Sequence, residues 1–238
     1  MTKRLLNQNA KYFSELEDLV EPNFVFNEKP INRLNKLEKS LEKNTGKSER
    51  LTELKNQINS IENCNLKNKS KKLIMGEGEL NSPIMLIGEN PGKIENETGV
   101  PFQGEVGQLL DKMLKAIEIL RKKIYVTYAI NFITPEDRKP TSQEIRRYSF
   151  FLKEHISIIN PKIIVLMGAT SMEAITGLKS KISTERGKWK EIIIKNKSIP
   201  VIVTFSPSYL IRYPENKKYS WEDLKKIREK IKDLNIKI

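Results

Sequence analysis

Ile84-Met85-Leu86-Ile87-Gly88-Glu89-Asn90-Pro91-Gly92 is a short apolar run that ends abruptly in a Gly/Pro turn. With no polar residue between its apolar ones, it predicts a strand buried on both faces. Ile124–Ile130, Ile163–Met167 and Pro200–Phe205 read the same way, and Ile192–Ile194 reads as a minor edge strand. Helical patterns lie between them. Val106–Leu120 places Leu109, Leu110, Met113, Leu114 and Ile117 on one face. Thr141-Ser142-Gln143-Glu144 has the form of a helix start and opens a helix from Pro140 to about Ile159. Ser171–Thr176 begins another, and Trp221–Ile231 forms a terminal one. Short apolar strands alternating with helices predict an α/β fold in three layers, α/β/α, around a central four-stranded parallel sheet. Ligands of such sheets sit at the carboxyl ends of the strands, so the loops after Ile87, Ile130, Met167 and Phe205 carry the chemistry.

The first 60 residues have a different texture. Leu5–Leu19 reads as an amphipathic helix, and Pro22 and Pro30 punctuate a loop. Asn32–Asn63 is rich in Lys, Glu and Asn and reads as solvated helix broken near Gly46. The expected division is therefore a charged helical extension over 1–60 and a catalytic or binding domain over 61–238. The net charge of +13 favours a polyanionic partner, because Lys and Arg that neutralise phosphates release counterions. A Lys-rich proteome would raise the charge as well. One cysteine, Cys64, excludes an intrachain disulfide and a Cys-rich metal site. The N-terminus lacks the apolar core of a signal peptide, and no apolar run reaches the length of a membrane span. A cytoplasmic, nucleoid-associated monomer without membrane contact is expected.

The loops at the strand ends read Gly88-Glu89-Asn90-Pro91-Gly92, Gly99-Val100-Pro101-Phe102-Gln103-Gly104, Arg138-Lys139-Pro140-Thr141, Arg186-Gly187-Lys188-Trp189 and Ser206-Pro207-Ser208-Tyr209-Leu210-Ile211-Arg212. In this order and spacing they resemble the family 4 uracil-DNA glycosylases, with the shorter, cysteine-poor alphaproteobacterial versions nearest. The resemblance runs from about Ile61 to the C-terminus. It implies an enzyme that flips a base out of DNA and hydrolyses its glycosidic bond.

On that resemblance, Phe102 is the aromatic face for the flipped pyrimidine, and base–aromatic stacking contributes about 1–3 kcal/mol. Gly88, Pro91 and Tyr128 are expected to shape the base pocket. Tyr209, Leu210 and Ile211 are candidates to fill the gap left in the duplex. Ser208, Arg212, Arg186 and Lys217 are candidates for the phosphate grip. The transition state pairs a cationic sugar with an anionic base, so it needs an oriented water and hydrogen-bond donors. Asn90 replaces the Ala usual in family 4, and Gly-Glu-Asn-Pro-Gly also resembles the turn in which mismatch-specific families hold their water. Asn90 is thus the first catalytic candidate and Glu89 the second, with Glu95 behind them. Plain turn chemistry would also explain Asn90.

Several positions depart from the family pattern. The base-reading Asn corresponds to Tyr128, which lacks the paired donor and acceptor of an amide. The histidine of the last loop corresponds to Ser206, kept as a catalytic candidate because its hydroxyl can donate. Strand alternation turns Asn131 to the other face, and His155 is expected to pack rather than catalyse. The four cluster-binding cysteines of family 4 correspond to Ile61, Cys64, Phe132 and Tyr148, so no four-iron cluster and no other cofactor is expected. The expected partner is DNA containing uracil or a deaminated base. The competing interpretation is a degenerate member that binds DNA or a repair partner.

Overall fold

The protein is described by a computed structural model covering residues 46–62 and 64–237. The expected helix Leu5–Leu19, the loop around Pro22 and Pro30, and the first part of Asn32–Asn63 lie outside the described residues. Nine helices are defined among the described residues. They are α1 (Lys47–Asn59), α2 (Asn65–Lys69), α3 (Lys93–Thr98), α4 (Gly104–Lys115), α5 (Ser142–Ile159), α6 (Ala169–Thr176), α7 (Ile182–Glu185), α8 (Pro207–Arg212) and α9 (Lys217–Asp233). The strands are β1 (Gly76–Gly78), β2 (Ile84–Gly88), β3 (Tyr125–Tyr128), β4 (Ile163–Met167), β5 (Trp189–Ile194) and β6 (Lys197–Thr204).

The sheet has six strands in the order β1-β3-β2-β4-β6-β5. Its centre, β3-β2-β4-β6, is the expected parallel quartet. Two antiparallel edges extend it: β1 pairs with β3, and β5 pairs with β6. Strand β1 was illegible because Gly76-Glu77-Gly78 has no apolar alternation and joins only through its backbone. The chain runs from β2 to β3 on one side and then crosses to β4 on the other. The crevice between the ends of β2 and β4 is therefore a topological switch point, the usual seat of a ligand.

Each central strand feeds two cores. Met85 and Ile87 enter one apolar cluster with Ile164, Leu166, Val201 and Val203, while Ile84 and Leu86 enter the other with Val165 and Ile202. Alternation along the strands makes this division, and full burial on both faces explains the unbroken apolar runs. Helices α1, α5 and α6 cover the first face through Leu54, Ile58, Leu152, Ile156 and Met172. Helices α4 and α9 cover the second through Leu110, Leu114, Leu224 and Ile227. Each such side chain, fully buried, stabilises the fold by about 1.5–3 kcal/mol. Leu54 and Ile58 are core residues, so α1 packs with the sheet although it precedes residue 60.

Helix α5 starts as the sequence indicates. Glu144 N donates to Thr141 Oγ1 at 3.2 Å, and Thr141 N donates to the Glu144 carboxylate at 2.7 Å. Arg138 forks onto the same carboxylate at 2.8 and 2.6 Å and holds Glu144 down at about 2.

His155 sits on the buried face of α5, with its Nε2 2.9 Å from the Tyr125 hydroxyl. Burial pushes its pKa down from 6.5 to about 4. The native state thus holds a neutral ring that the unfolded chain protonates first. Its contribution to stability is whole above about 6.5 and is lost as pH falls through about 4. Melting temperatures of the wild type should decline across that window, and His155→Gln should flatten the decline. An unchanged slope in the variant would show that other groups cause it.

Candidate active site

The turn after β2 is tied to the extension of β3 by Ala129 N to Gly88 O at 2.9 Å and Ile130 N to Glu89 O at 3.1 Å. Gly88 sits where no side chain fits: a Cβ there would lie 2.7 Å from Phe102 Cζ and 2.8 Å from Tyr128 Cδ1. These two rings stack with centroids 4.6 Å apart and planes at 27°.

Phe102 has φ of +53°, a left-handed conformation that costs a non-glycine residue roughly 1–3 kcal/mol. Both of its backbone groups are held. Its N–H donates to the Tyr128 hydroxyl at 2.9 Å, and its carbonyl accepts from Arg121 Nη1 at 2.9 Å. The Tyr128 hydroxyl in turn donates to Glu95 Oε1 at 3.3 Å. Burial, reinforced by the Glu95 charge, raises the Tyr128 pKa and keeps the phenol protonated. The Glu95 carboxylate also receives Gly92 N at 3.0 Å and Gln103 N at 2.9 Å. Glu95 thus joins the two pocket loops from beneath.

Glu89 points to the start of α6, where Thr170 N donates to its Oε1 at 3.2 Å. Gly168 makes room for it, since a Cβ there would lie 2.3 Å from Glu89 Cδ. Asn90 donates from Nδ2 to Pro91 O at 3.3 Å and to Thr134 Oγ1 at 3.4 Å. Its Oδ1 has no protein donor among the described residues, so it remains an acceptor for water. Ser206 caps α8: its Oγ accepts from Tyr209 N at 3.4 Å and lies 3.2 Å from Ser208 Oγ.

These elements enclose a cavity of ≈ 290 Å³ at the carboxyl ends of the strands. The expected residues Gly88, Glu89, Asn90, Pro91, Phe102 and Tyr128 all line it, as do Ser206, Ser208 and Arg212. Positions 90, 102 and 206 therefore face one base-sized space. Lys139 and Pro140 also line it and were not singled out from sequence. Their loop carried the motif, but nothing local aimed it at the turn after β2.

Other expectations need correction. Leu210 is 1% exposed and belongs to the core between α8 and α4, so it cannot enter a duplex. Tyr209 is half-buried, stacked between Phe205 and Tyr213 at 4.8 Å on each side, and lies off the cavity. Tyr213 forms the exposed end of that stack. Arg186 does not reach for phosphate. It forks onto Asp223, Nε to Oδ2 at 3.1 Å and Nη2 to Oδ1 at 2.7 Å. Asp223 is completely buried and also accepts from Thr204 Oγ1 at 2.8 Å. Burial raises the Asp223 pKa, and its hydrogen bonds and the Arg186 charge oppose the rise. Lys217 is exposed at the start of α9 and does not line the cavity, which leaves its expected contact with DNA phosphate open. Phe102 keeps its place in the wall, but Tyr128 covers its face and only 2% of the residue is accessible.

The positions aligned with the iron-cluster cysteines do not fit such a group. Cys64 Sγ lies 3.1 Å from the Tyr148 hydroxyl, and the Tyr148 and Phe132 rings meet edge to face at 6.1 Å. With Ile61 beside them, they form part of the apolar core. Among the described residues no group of three or more His, Cys, Asp or Glu is arranged to hold a metal. No helix among them is long and apolar enough to cross a membrane.

The family profile described as the uracil DNA glycosylase superfamily matches residues 75–228. The chain belongs to that superfamily. The match spans β1 to most of α9, so every loop of the cavity falls within it. Three relatives, each a type-4 uracil-DNA glycosylase, cover much of the same region. The Thermotoga maritima protein is 36% identical over 172 residues, 71% of this chain and 88% of that one. The Sulfurisphaera tokodaii protein is 36% identical over 187 residues, 75% of this chain and 84% of that one. The Archaeoglobus fulgidus protein is 30% identical over 185 residues, 76% of this chain and 93% of that one.

Proposed function

We propose that the chain is a monofunctional DNA glycosylase. It hydrolyses the N-glycosidic bond of uracil or a related deaminated base in DNA and leaves an abasic site for base excision repair. The observation that carries this is the convergence of the Asn90 amide, the Glu89 carboxylate and the Ser206 hydroxyl on one cavity. Asn90 Oδ1 accepts from the attacking water and aims its oxygen at the anomeric carbon. The carbon–nitrogen bond breaks with its electron pair leaving on the base, and the water proton passes to solvent or to Glu89. Glu89, fixed by Thr170 N, faces the sugar as it becomes cationic. Ser206 donates to the departing base anion. No step calls for a metal, cofactor or Schiff-base lysine. The same proposal covers a cytoplasmic, nucleoid-associated monomer.

A second reading, DNA binding without excision, is favoured by one observation: Tyr128 covers the ring of Phe102. Labelled oligonucleotides carrying U·G, U·A, single-stranded U, hypoxanthine and T·G separate the two. Abasic-site formation on a deaminated base supports the enzyme, and tight binding with every strand left intact supports the binder.

Arg212 is exposed on the cavity rim, with its Nε 3.4 Å from Ser208 O. Arg212→Ala should weaken DNA binding and lower the slope of log K against log salt by about 1. Anisotropy titrations at several salt concentrations check this, and an unchanged slope removes Arg212 from the phosphate grip.

A further inference from the structure

We infer that Tyr128 is the specificity-determining residue of this pocket: it stands as a built-in stack on Phe102, and the bases excised best are those already unpaired. The inference rests on the glycosylase reading above. The Tyr128 ring lies on Phe102 at 4.6 Å and 27°, an offset stack of the kind a base would make. With 2% of Phe102 and 4% of Tyr128 exposed, an entering base meets no open aromatic face. The phenol cannot swing aside cheaply. Its oxygen receives Phe102 N at 2.9 Å and faces Glu95 at 3.3 Å, and Gly88 closes the edge of both rings.

Both hydrogen-bonding directions of that hydroxyl are thereby used, so Tyr128 offers the base no polar contact. Glu89, Asn90, Arg138, Lys139, Ser206 and Ser208 supply polar groups elsewhere on the wall. The covered Phe102 ring, however, gives no stacking face and position 128 no paired donor and acceptor to offset the cost of pulling a base from a stable pair. Extrusion costs least for a mismatched or single-stranded base. Selection thus shifts from recognition inside the pocket to the cost of leaving the helix.

Single-turnover excision of single-stranded U, U·G and U·A by the full chain tests this. The expected order has single-stranded U fastest and U·A tenfold or more slower. Tyr128→Asn uncovers the Phe102 ring and supplies an amide donor and acceptor. It should raise U·A excision at least tenfold relative to single-stranded U. Tyr128→Phe keeps the ring and should keep the wild-type order.

Equal wild-type rates on U·A and single-stranded U overturn the inference alone, as does an unchanged ratio in a folded Y128N protein. Excision seen in Y128N but on no substrate by the wild type overturns the glycosylase reading and, with it, the stated preference. No excision by either protein on any substrate overturns the glycosylase reading and the inference together. The wild-type ratio needs no variant, so a folding failure in Y128N leaves a deciding measurement.

Discussion

Asn90→Ala should lower single-turnover excision by on the order of 10²–10³-fold while leaving oligonucleotide binding and the melting temperature close to wild type. The size follows from geometry. The amide is anchored on one side by Pro91 O and Thr134 Oγ1, which leaves Oδ1 for the role proposed for it, accepting from the water. Ala removes the acceptor without touching the core, since position 90 is only half-buried. Binding should survive because the groups proposed to hold phosphate, Arg212 and Ser208, lie elsewhere. Asn90→Asp keeps an acceptor at the same distance from the backbone and should recover part of the rate. If Asn90→Ala excises at the wild-type rate, water positioning moves to Glu89, and Glu89→Gln becomes the decisive variant.

Arg186→Ala should destabilise the fold by about 3–5 kcal/mol, because it removes the guanidinium forked onto the buried Asp223 carboxylate and leaves that group only the Thr204 hydroxyl bond. For a chain of this size that corresponds to roughly 6–20 °C in melting temperature. Arg186→Lys should not restore the loss: a point charge cannot make both contacts at 3.1 and 2.7 Å. The double variant Arg186→Ala/Asp223→Ala should be more stable than Arg186→Ala, and that non-additivity reads the coupling. Below its melting temperature, Arg186→Ala should keep the wild-type salt dependence of DNA binding. A reduced slope would return Arg186 to the phosphate grip. The pair bears on function indirectly, since the Arg186 guanidinium lies 5.9 Å from the centroid of Phe205, the residue before Ser206.

Much of this was legible in the chain. The four parallel strands appear as unbroken apolar runs because burial on both faces leaves no polar position. The start of α5 is written in Thr141 and Glu144, three residues apart. The loops that line the cavity follow directly from strand ends, and within them the resemblance to the family 4 uracil-DNA glycosylases singled out Gly88, Glu89, Asn90 and Ser206. The misses share a cause. Asp223 looks like any acid on a solvated helix until Arg186, 37 residues away, is folded against it. Leu210 and Arg212 belong to one motif, yet the turn of α8 buries the first and exposes the second.

The sequence by itself determined the four parallel strands, most of the helices between them and the edge of the sheet at which the cavity opens. Those depend on periodicity and on Gly/Pro punctuation, which act over a few residues. Only the tertiary structure decided which polar and aromatic groups remain free for a substrate. Tyr128 is committed to Phe102 and Glu95, and Arg186 to Asp223, because a buried polar group must find its partner wherever folding brings one.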